Sequence, residues 1–421
     1  MSGGAEIKSQ EGSTQGDNLG GHFYNQGTIP LQTLLSVIVP SVSQVWLADD
    51  ATGAGTLEHL KEWWDCIVKS GSRFGYLVNN SKSWLILKDP ALLEQASALF
   101  NGTNINITTE GKRHLGAAIG SKEFHEEYSK EKIDKWCNEI KQLAKFAKTQ
   151  PQAAYAAFIH GEVHRFLYFL RTIPSMGDLL QPLDEAIENH LLPAIMGTNN
   201  ITQPERNLYS LPIRLGGLGI PILTDTAELE FSTSVQITAP LAAIMILQGT
   251  NLPDPDEVKK TALEVKKLRD NIEKQKEEIV ISTLSQGTTK AVEQAKEKGA
   301  SSWLSTLPLE DQGFTLNKGE FRDALAIRYN ADLRGLPAKC PCGQPFNLNH
   351  AMNCKRGGFV IIRHNNIRDF EANLLKQTCN DVETEPPLQP LEGEAITGLT
   401  GGSTARYQSA WILEISSERI F

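Results

Sequence analysis

The sequence lacks the features of a membrane or secreted protein. It has no run of about 18 or more consecutive apolar residues, the length that predicts a membrane-spanning helix. The longest apolar candidate, around 240–247, has only the length of a core helix. The first residues, MSGGAEIKSQEGSTQGD, lack the charged start and apolar centre of a signal peptide. We therefore expect an intracellular protein, nuclear or cytoplasmic, that is not secreted and has no membrane span.

Cysteine is also scarce, with six residues that are too scattered for a disulfide framework. Three of them nonetheless crowd with one histidine into a C-x-C-x7-H-x3-C pattern. These four residues are Cys340, Cys342, His350 and Cys354. Two thiolates on a tight Pro/Gly turn, followed by an imidazole and a thiolate one helical turn apart, predict a four-coordinate structural zinc site. The alternative is a chance Cys-Pro-Cys turn near an unrelated histidine. We interpret Cys379 as a small core residue in preference to an extra ligand.

The charge of the chain is uneven. Its formal net charge of −9 argues mildly against a protein whose whole surface binds polyanions. Acidic residues are, however, absent from 334–368, where the basic residues are Arg334, Lys339, Lys355, Arg356, Arg363 and Arg368. A zinc module with charge of one sign predicts a phosphate-binding patch, because each neutralised phosphate releases counterions. The alternative is a solvated basic face that compensates for the acidic tail.

The pattern along the chain predicts an α+β fold. Residues 1–123 alternate β-rich runs (SVIVPSV, SQVWLA, FGYLV, SWLILK, INITT) with one helix, TLEHLKEWWDCIVKSG. Residues 124–250 carry helical periodicity, cut into short helices by prolines and by the GGLGIP turn. Residues 301–380 contain the cysteine cluster, and 381–421 are loosely patterned.

The segment 251–300 is highly charged and has a thin apolar seam. Val258, Val265, Ile272 and Ile279 recur every seven residues. Leu268 lies between them, but Thr261 and Gln275 also fall on this seam, so a long coiled coil is disfavoured. We predict a solvated connector helix in preference to a dimerisation zipper.

Six motifs, in this order, resemble the later part of a reverse transcriptase from a non-LTR (LINE-like) retrotransposon. They are SQEGSTQGDNL, QVWLADDATGAG, FGYLVNNSKSWLILK, GKRHLGAAIGS, YSLPIRLGGLGIP and CPCGQPFNLNHAMNCKRGGFVIIRHNNIRDF. The resemblance is to the class with a zinc-knuckle-like cluster and a restriction-like endonuclease, and it covers nearly the whole chain. It implies a partial palm (an antiparallel sheet with helices) over 1–123, a helical thumb-like region over 124–250, a connector helix over 251–300, a zinc-cluster module over 301–380 and a degenerate endonuclease remnant over 381–421.

The resemblance gives the aspartates of QVWLADDATGAG a catalytic meaning. Asp49 and Asp50 match the palm hairpin that presents carboxylates to Mg²⁺, which activates a primer 3′-hydroxyl and stabilises the pyrophosphate leaving group. Without the resemblance, two aspartates here would simply begin a turn or cap a helix. The tyrosine of the family motif is Leu47 in this chain. Lys82 matches the motif whose lysine is associated with protonation of pyrophosphate, and the alternative is a surface lysine at a strand start.

The other matches concern the RNA template and the DNA primer or target, which are the implied partners. Gly12, Gln15 and Gly16 match the motif that contacts the template and the incoming nucleotide, although the proline expected after Gln-Gly-Asp is Asn18. His114, Leu115 and Gly116 match the primer-grip hairpin. Lys355, Arg356, Arg363 and Arg368 would form the nucleic-acid patch beside the structural zinc.

Two departures from the family lower the expected activity. The family palm has a further metal-binding aspartate upstream, and Glu6, Glu11 and Asp17 lie in or too near the template motif to replace it. Without that carboxylate the Mg²⁺ site lacks a bridging ligand. We therefore expect little or no polymerase activity from this chain alone.

The endonuclease motif departs in a similar way. Glu385 could match an early acidic residue, but the Ala-Arg-Leu-Asp run of the family reads Ala-Arg-Tyr-Gln over 405–408, and Glu414 is a poor substitute for the next aspartate. We expect no nuclease activity. Three hypotheses stay open: an RNA-directed DNA polymerase, a zinc-dependent nucleic-acid-binding remnant without catalysis, and a translated relic without function.

Overall fold

The computed structural model describes residues 17–249, 251–333, 335–356, 359–380 and 382–384. The chain divides into two compact units, Met1–Arg334 and Gly335–Phe421. The sequence places the start of the zinc module near 301, whereas the division lies more than thirty residues later. The reason is that Phe321 and Leu325, which the sequence assigns to that module, are fully buried in the core of the first unit.

Helices dominate the described residues and strands are short, so the coarse α+β prediction is confirmed. The helices are α1 (Gly20–Ile38), α2 (Leu57–Ser70), α3 (Leu93–Leu99), α4 (Lys122–Ala147), α5 (Pro151–Ala157), α6 (Val163–Thr172), α7 (Gln181–Ala186), α8 (Leu192–Met196), α9 (Gln203–Ser210), α10 (Leu223–Leu247), α11 (Pro255–Ser282), α12 (Gln286–Lys296), α13 (Ser302–Ser305), α14 (Lys318–Arg328), α15 (Leu348–Asn353) and α16 (Phe359–Leu375). The strands are β1 (Ser43–Leu47), β2 (Asp50–Ala54), β3 (Trp84–Ile86), β4 (Asn106–Thr108), β5 (Gly111–His114) and β6 (Ala117–Gly120).

The expected single antiparallel sheet is not present among the described residues. The strands form three separate pairs, of which β1–β2 and β5–β6 are antiparallel and β3–β4 is parallel. Two β-rich runs of the sequence also adopt other structures. The first part of SVIVPSV ends α1, because Leu31 and Leu35 place this segment on a helical face buried against α2. FGYLV follows α2 as a tight turn and an extended loop.

The helical region of the sequence forms most of the core of the first unit. Pro151 begins α5, where a missing N–H has no cost. The chain then continues through a wide π-helical turn, Phe158–Glu162, into α6, so α5 and α6 are joined without a break. Phe166 and Phe169 are buried against Trp136 of α4, with the rings of Trp136 and Phe169 in edge-to-face contact, and Phe158 packs against Phe166.

The charged segment forms two helices, α11 and α12, instead of one connector helix, and each of them buries two residues. Val265 of the predicted seam and Val280 outside it are buried, whereas Ile272 and Ile279 of the seam are exposed. Arg269 reaches from α11 to the buried carboxylate of Glu230 on α10, with an Nη1–Oε1 distance of 2.7 Å. The seven-residue pattern did not reveal this packing because Val265 is the one fully buried member of the seam, and the other buried residue of α11, Val280, lies outside it.

Helix α10 is long and apolar enough to cross a membrane, by length and composition alone. Only 11% of its most apolar stretch is buried within the structure. Its first part nevertheless belongs to the core, where Leu223 and Ala227 are buried and Glu230 is ion-paired. The expectation of no membrane span stays a prediction.

Candidate metal centre and acidic hairpin

The two aspartates lie at the tip of the β1–β2 hairpin. The strands pair in register from Ser43↔Ala54 to Leu47↔Asp50, which leaves Ala48 and Asp49 as a two-residue loop. Ala48 has φ +50°, the conformation that lets so short a loop follow the twist of the strands. Both aspartates are exposed, and within the described part of the chain neither carboxylate has a hydrogen-bond or ion-pair partner.

Tyr76 holds this turn in place. Its hydroxyl donates a hydrogen bond to the carbonyl oxygen of Asp49 at 3.0 Å, and its ring meets Trp46 of β1 with 5.1 Å between centroids. Burial, helped by the nearby Tyr24 and the two aspartates, raises the pKa of Tyr76 to about 12. Tyr76 therefore stays a hydrogen-bond donor at neutral pH and supports the turn without using the carboxylates.

The predicted primer-grip residues form the tip of the second antiparallel hairpin. His114 ends β5, and Leu115 and Gly116 are its two-residue turn with φ +49° and +84°. Leucine rarely adopts a positive φ, so the turn requires support from its surroundings. Tyr168 of α6 donates a hydrogen bond to the carbonyl of Leu115, and Tyr128 of α4 donates one to the carbonyl of Gly116 at 3.2 Å.

The two hairpins contact each other through Thr52 and His114. Thr52 Oγ1 lies 3.3 Å from His114 Nε2. Thr52 is two residues after Asp50 on β2, and alternate residues of a strand face the same side. The imidazole of His114 therefore lies on the face of the hairpin that carries Asp50. The structure thus brings together two of the residue groups that the sequence predicted.

Other predicted residues are not brought to this hairpin. Lys82 ends a helical turn, Asn80–Lys82, before β3, and its exposed ammonium group makes no hydrogen bond or ion pair with a described residue. No hydrogen bond or ion pair within the described part of the chain links Lys82 to Asp49 or Asp50. Gly12, Gln15, Gly16, Glu385 and Glu414 lie outside the described residues.

Within the part of the chain that the structure describes, the acidic pair has no third ligand nearby. Among the described residues, the only group of three or more His, Cys, Asp or Glu close enough to share an ion is the cysteine cluster of the second unit. Mg²⁺ is commonly held by one or two carboxylates together with water and substrate phosphates. Asp49 and Asp50 could therefore help to hold a Mg²⁺–phosphate complex, but described residues do not complete a two-metal cage.

The cysteine cluster is built from two local structures, of which the first is a tight turn. Cys340 donates its N–H to the carbonyl of Gln344 at 2.9 Å, and Gly343 donates its own to the carbonyl of Cys340 at 2.8 Å. Gly343 has φ +90°, a conformation that favours glycine. This turn brings Cys340 and Cys342 to the same side.

The second local structure is the short helix α15. The side chain of Asn347 caps it by accepting a hydrogen bond from the N–H of His350 at 2.8 Å. Cys354 follows one turn later, and its N–H donates to the carbonyl of His350 at 2.8 Å. His350 and Cys354 therefore face the turn that carries the other two ligands.

The four ligand atoms have the geometry of a tetrahedral metal site. They all lie within 4.8 Å of one another. Cys340 Sγ is 3.6 Å from Cys354 Sγ, and Cys342 Sγ is 3.2 Å from His350 Nε2. A tetrahedron with metal–sulfur bonds of about 2.3 Å would separate its sulfurs by roughly 3.8 Å. The donor set fits Zn²⁺, and with four protein ligands the site would be structural.

The basic residues around the cluster differ in their exposure and in whether they form an ion pair. Lys355 and Arg356 directly follow the last ligand, and both are exposed, as is Arg363 on α16. Arg368 pairs with Asp369, the residue just after the acid-free segment, with an Nη2–Oδ1 distance of 2.8 Å. Cys379 is exposed and outside the cluster, so its interpretation as a core residue is wrong.

Sequence reasoning missed the residues that position the two hairpins. Thr52, Tyr76, Tyr128 and Tyr168 all contact the hairpins through hydroxyl groups, but none stands in a pattern that identifies this role. Tyr76 belongs to FGYLV, whose pattern predicts a strand, and Tyr128 and Tyr168 lie on amphipathic helices. The chain matches no protein-family model, no curated protein and no solved structure.

Proposed function

We propose that this chain is of reverse-transcriptase type, similar to that of non-LTR retrotransposons, and that by itself it binds a template–primer without extending it. The observation that supports this proposal is the tip of the β1–β2 hairpin, where the carboxylates of Asp49 and Asp50 are exposed and have no partner among the described residues. A turn whose aspartates served only as turn formers would use them as local hydrogen-bond acceptors. Here Tyr76 supports the turn instead.

In this proposal Asp49 and Asp50 would hold Mg²⁺, which supplies charge stabilisation for the leaving pyrophosphate. His114 lies on the face of Asp50, where it would contact the nucleic acid bound beside the metal. Leu115 and Gly116 would guide the primer strand through the fixed shape of their turn. The third carboxylate is missing among the described residues, and loss of such a ligand typically lowers the rate by orders of magnitude.

The test is a binding and extension experiment with the full chain, a primed RNA template, nucleotides and Mg²⁺. We expect binding that weakens with salt and no detectable extension. Mn²⁺, as an electron-paramagnetic substitute for Mg²⁺, should bind weakly to the chain, and Asp49→Ala should remove this binding. Asp65→Ala, which removes an exposed helical carboxylate, is the matched control.

Each contrary result has a definite meaning. A chain that binds no template–primer at any salt concentration would refute the proposal. Extension that Asp49→Ala abolishes would show that two carboxylates suffice, and it would refute only the statement on inactivity. Extension that Asp49→Ala leaves unchanged would refute the assignment of the hairpin.

A second candidate function is zinc-dependent nucleic-acid binding by the second unit. The observation that favours it is the placement of Lys355 and Arg356 immediately after Cys354, both exposed and without an ion-pair partner among the described residues. Metal binding by Cys354 would fix the backbone that carries Lys355 and Arg356. We expect the affinity of the zinc-loaded chain for a polyanion to fall steeply with salt and to fall further in Lys355→Gln/Arg356→Gln. Unchanged affinity in that double variant would refute this function.

A further inference from the structure

Helix α16 exposes a face that combines aromatic, aliphatic and basic side chains. Its members are Phe359, Arg363, Ile367, Phe370 and Leu374, which share one side of the helix because they are spaced by three or four residues. The exposed fractions of the two phenylalanines are 47% and 63%. Ala372 is the one fully buried residue described in this helix, so α16 uses little of its surface to pack on α15. We call these five residues the aromatic face.

The aromatic face carries charge of one sign. Arg363 lies between Phe359 and Ile367 and has no ion-pair partner among the described residues. An α-helix rotates by about 100° per residue, and this rotation places the two carboxylates of the helix, Asp369 and Glu371, outside the aromatic face. Asp369 also forms an ion pair with Arg368. The exposed Lys355 and Arg356 lie shortly before α16 in the chain. The face is therefore complementary to an anionic partner that also offers apolar surface.

Single-stranded nucleic acid has this combination of properties. Its phosphates are anionic, and its unpaired bases expose flat apolar faces that stack on aromatic rings. In a duplex the faces of the bases are covered by their neighbours, so two exposed phenylalanines would gain little. We infer that the aromatic face is a binding site for single-stranded RNA or DNA, in which Phe359 and Phe370 stack on bases and Arg363 contacts the phosphates between them.

The dimensions of the helix fit this inference. Phe359 and Phe370 are eleven residues apart, which is about 16 Å along a helix. This span holds about five nucleotides at stacked spacing and fewer in an extended strand. Arg363 stands one turn from Phe359, so its guanidinium would reach the backbone between the two stacked bases. The inference deepens the second candidate function and rests on it.

The experiment uses the full zinc-loaded chain and a fluorescein-labelled 20-nucleotide single strand, with binding followed by fluorescence anisotropy. Phe359→Leu and Phe370→Leu keep apolar side chains of similar size but remove the ring. We expect each variant to lower the affinity about 5-fold to 100-fold, as removal of a stacking ring typically does. Ile362→Leu, on the same helix but outside the aromatic face, is the matched control and should leave the affinity unchanged.

A salt titration separates the ionic contribution from stacking. Arg363→Gln should reduce the slope of log affinity against log salt by about 0.7 for a single strand. The two phenylalanine variants should leave this slope unchanged, because they remove no charge. Thermal unfolding of every variant checks that the second unit remains folded.

The outcomes distinguish this inference from the function on which it rests. If the strand binds and Phe359→Leu and Phe370→Leu bind it as tightly as the parent, the nucleic-acid function stands and the aromatic face is not its site. If a duplex of the same length binds as tightly as the strand and is equally weakened by both variants, single-strand recognition is refuted. If Phe370→Leu alters the sedimentation coefficient but not strand binding, the face is a protein interface and the inference is refuted. If no nucleic acid binds at all, both proposals fail.

Discussion

Thr52 and His114 are separated by 62 positions in the chain, yet Thr52 Oγ1 and His114 Nε2 are 3.3 Å apart. This contact joins β2 to β5, and with them the acidic hairpin to the hairpin of Leu115 and Gly116. The two strand pairs belong to different sheets, so backbone hydrogen bonds do not fix their relative position. A side-chain contact between them therefore matters for the geometry of the candidate site.

Replacement of Thr52 by valine should loosen this arrangement. The variant keeps the shape of the side chain but removes its hydroxyl, so it should lower the free energy of unfolding by about 0.5–1.5 kcal/mol. It should also weaken template–primer binding, because His114 loses the group that orients its ring. Urea unfolding and fluorescence anisotropy measure the two effects. Thr52→Ser keeps the hydroxyl and should retain the binding; a loss as large as that of the valine variant would contradict the role of the contact.

The tyrosine hydroxyls on the second turn should contribute in a similar way. Tyr168→Phe and Tyr128→Phe each leave one turn carbonyl without its protein donor and should cost about 0.5–1.5 kcal/mol of unfolding free energy. The double variant should cost more than either single variant, because the strained turn at Leu115 then loses both supports. Chemical denaturation measures these changes. Tyr24→Phe is the control, since the Tyr24 hydroxyl makes no hydrogen bond with a described residue, and an equal loss there would refute the prediction.

Removal of the metal should unfold the second unit. Native mass spectrometry should find one Zn²⁺ per chain, and Cys342→Ser should lose it. Because the four ligands come from a turn and a six-residue helix, little else holds them together, and protease should then cut within 335–384. Cys379→Ser is the control, because Cys379 is exposed and outside the cluster. A metal-free chain with the same protease resistance would refute the structural role of zinc.

The ion pairs of Glu230 should make stability depend on pH. Burial alone would raise the pKa of this carboxyl, but hydrogen bonds from Arg269 and Arg171 outweigh it and lower the pKa below its usual value of 4.5. Since the folded pKa is lowered, the stabilisation is fully present well above pH 4.5 and is lost as the pH falls through the folded pKa. Acid should therefore weaken the packing of α10 against α6 and α11.

The measurement is urea unfolding of the parent chain and of Glu230→Gln at pH 7 and at pH 4. At pH 7 the variant should be less stable by about 1–3 kcal/mol, because two arginines lose a charged hydrogen-bond partner. The difference should shrink at pH 4. Glu228→Gln, at an exposed position on the same helix, should be close to neutral at both values. A destabilisation of Glu230→Gln that is equal at pH 4 and pH 7 would show that packing, and not charge, is what matters.

The cysteine cluster and the acidic hairpin could be predicted because their determinants are local. The four ligands lie within fifteen residues, and a Pro/Gly turn and one helical turn suffice to bring them together. The turn at Asp49 follows from the apolar run before it and the Gly-rich run after it, whereas the hairpin was expected only from the resemblance. Helix α2 shows the same principle, since its apolar spacing agrees with the burial of Leu57 and Ile67.

The seven-residue seam of α11 and the strand at FGYLV were predicted less well, for one physical reason. In both segments the local pattern is compatible with more than one partner, and the packing of distant elements decides which face is buried. The ion pairs of Arg269 with Glu230 and of Arg214 with Asp270 turn α11 towards the core. In FGYLV, the backbone N–H of Tyr76 donates a hydrogen bond to the carbonyl of Gly71 at the end of α2, so the chain turns here instead of extending as a strand.

The sequence by itself determined the cluster of three cysteines and one histidine, the acidic turn and the mixed helical character of the chain, because each depends on neighbours within a few turns. Only the tertiary structure decided that His114 lies on the Asp50 face, that three tyrosine hydroxyls hold the two turns, and that Arg269 of the charged segment pairs with Glu230. These features join residues tens of positions apart. A hydroxyl or a guanidinium finds such a partner only after the cores beneath both have formed, so no local pattern encodes the contact.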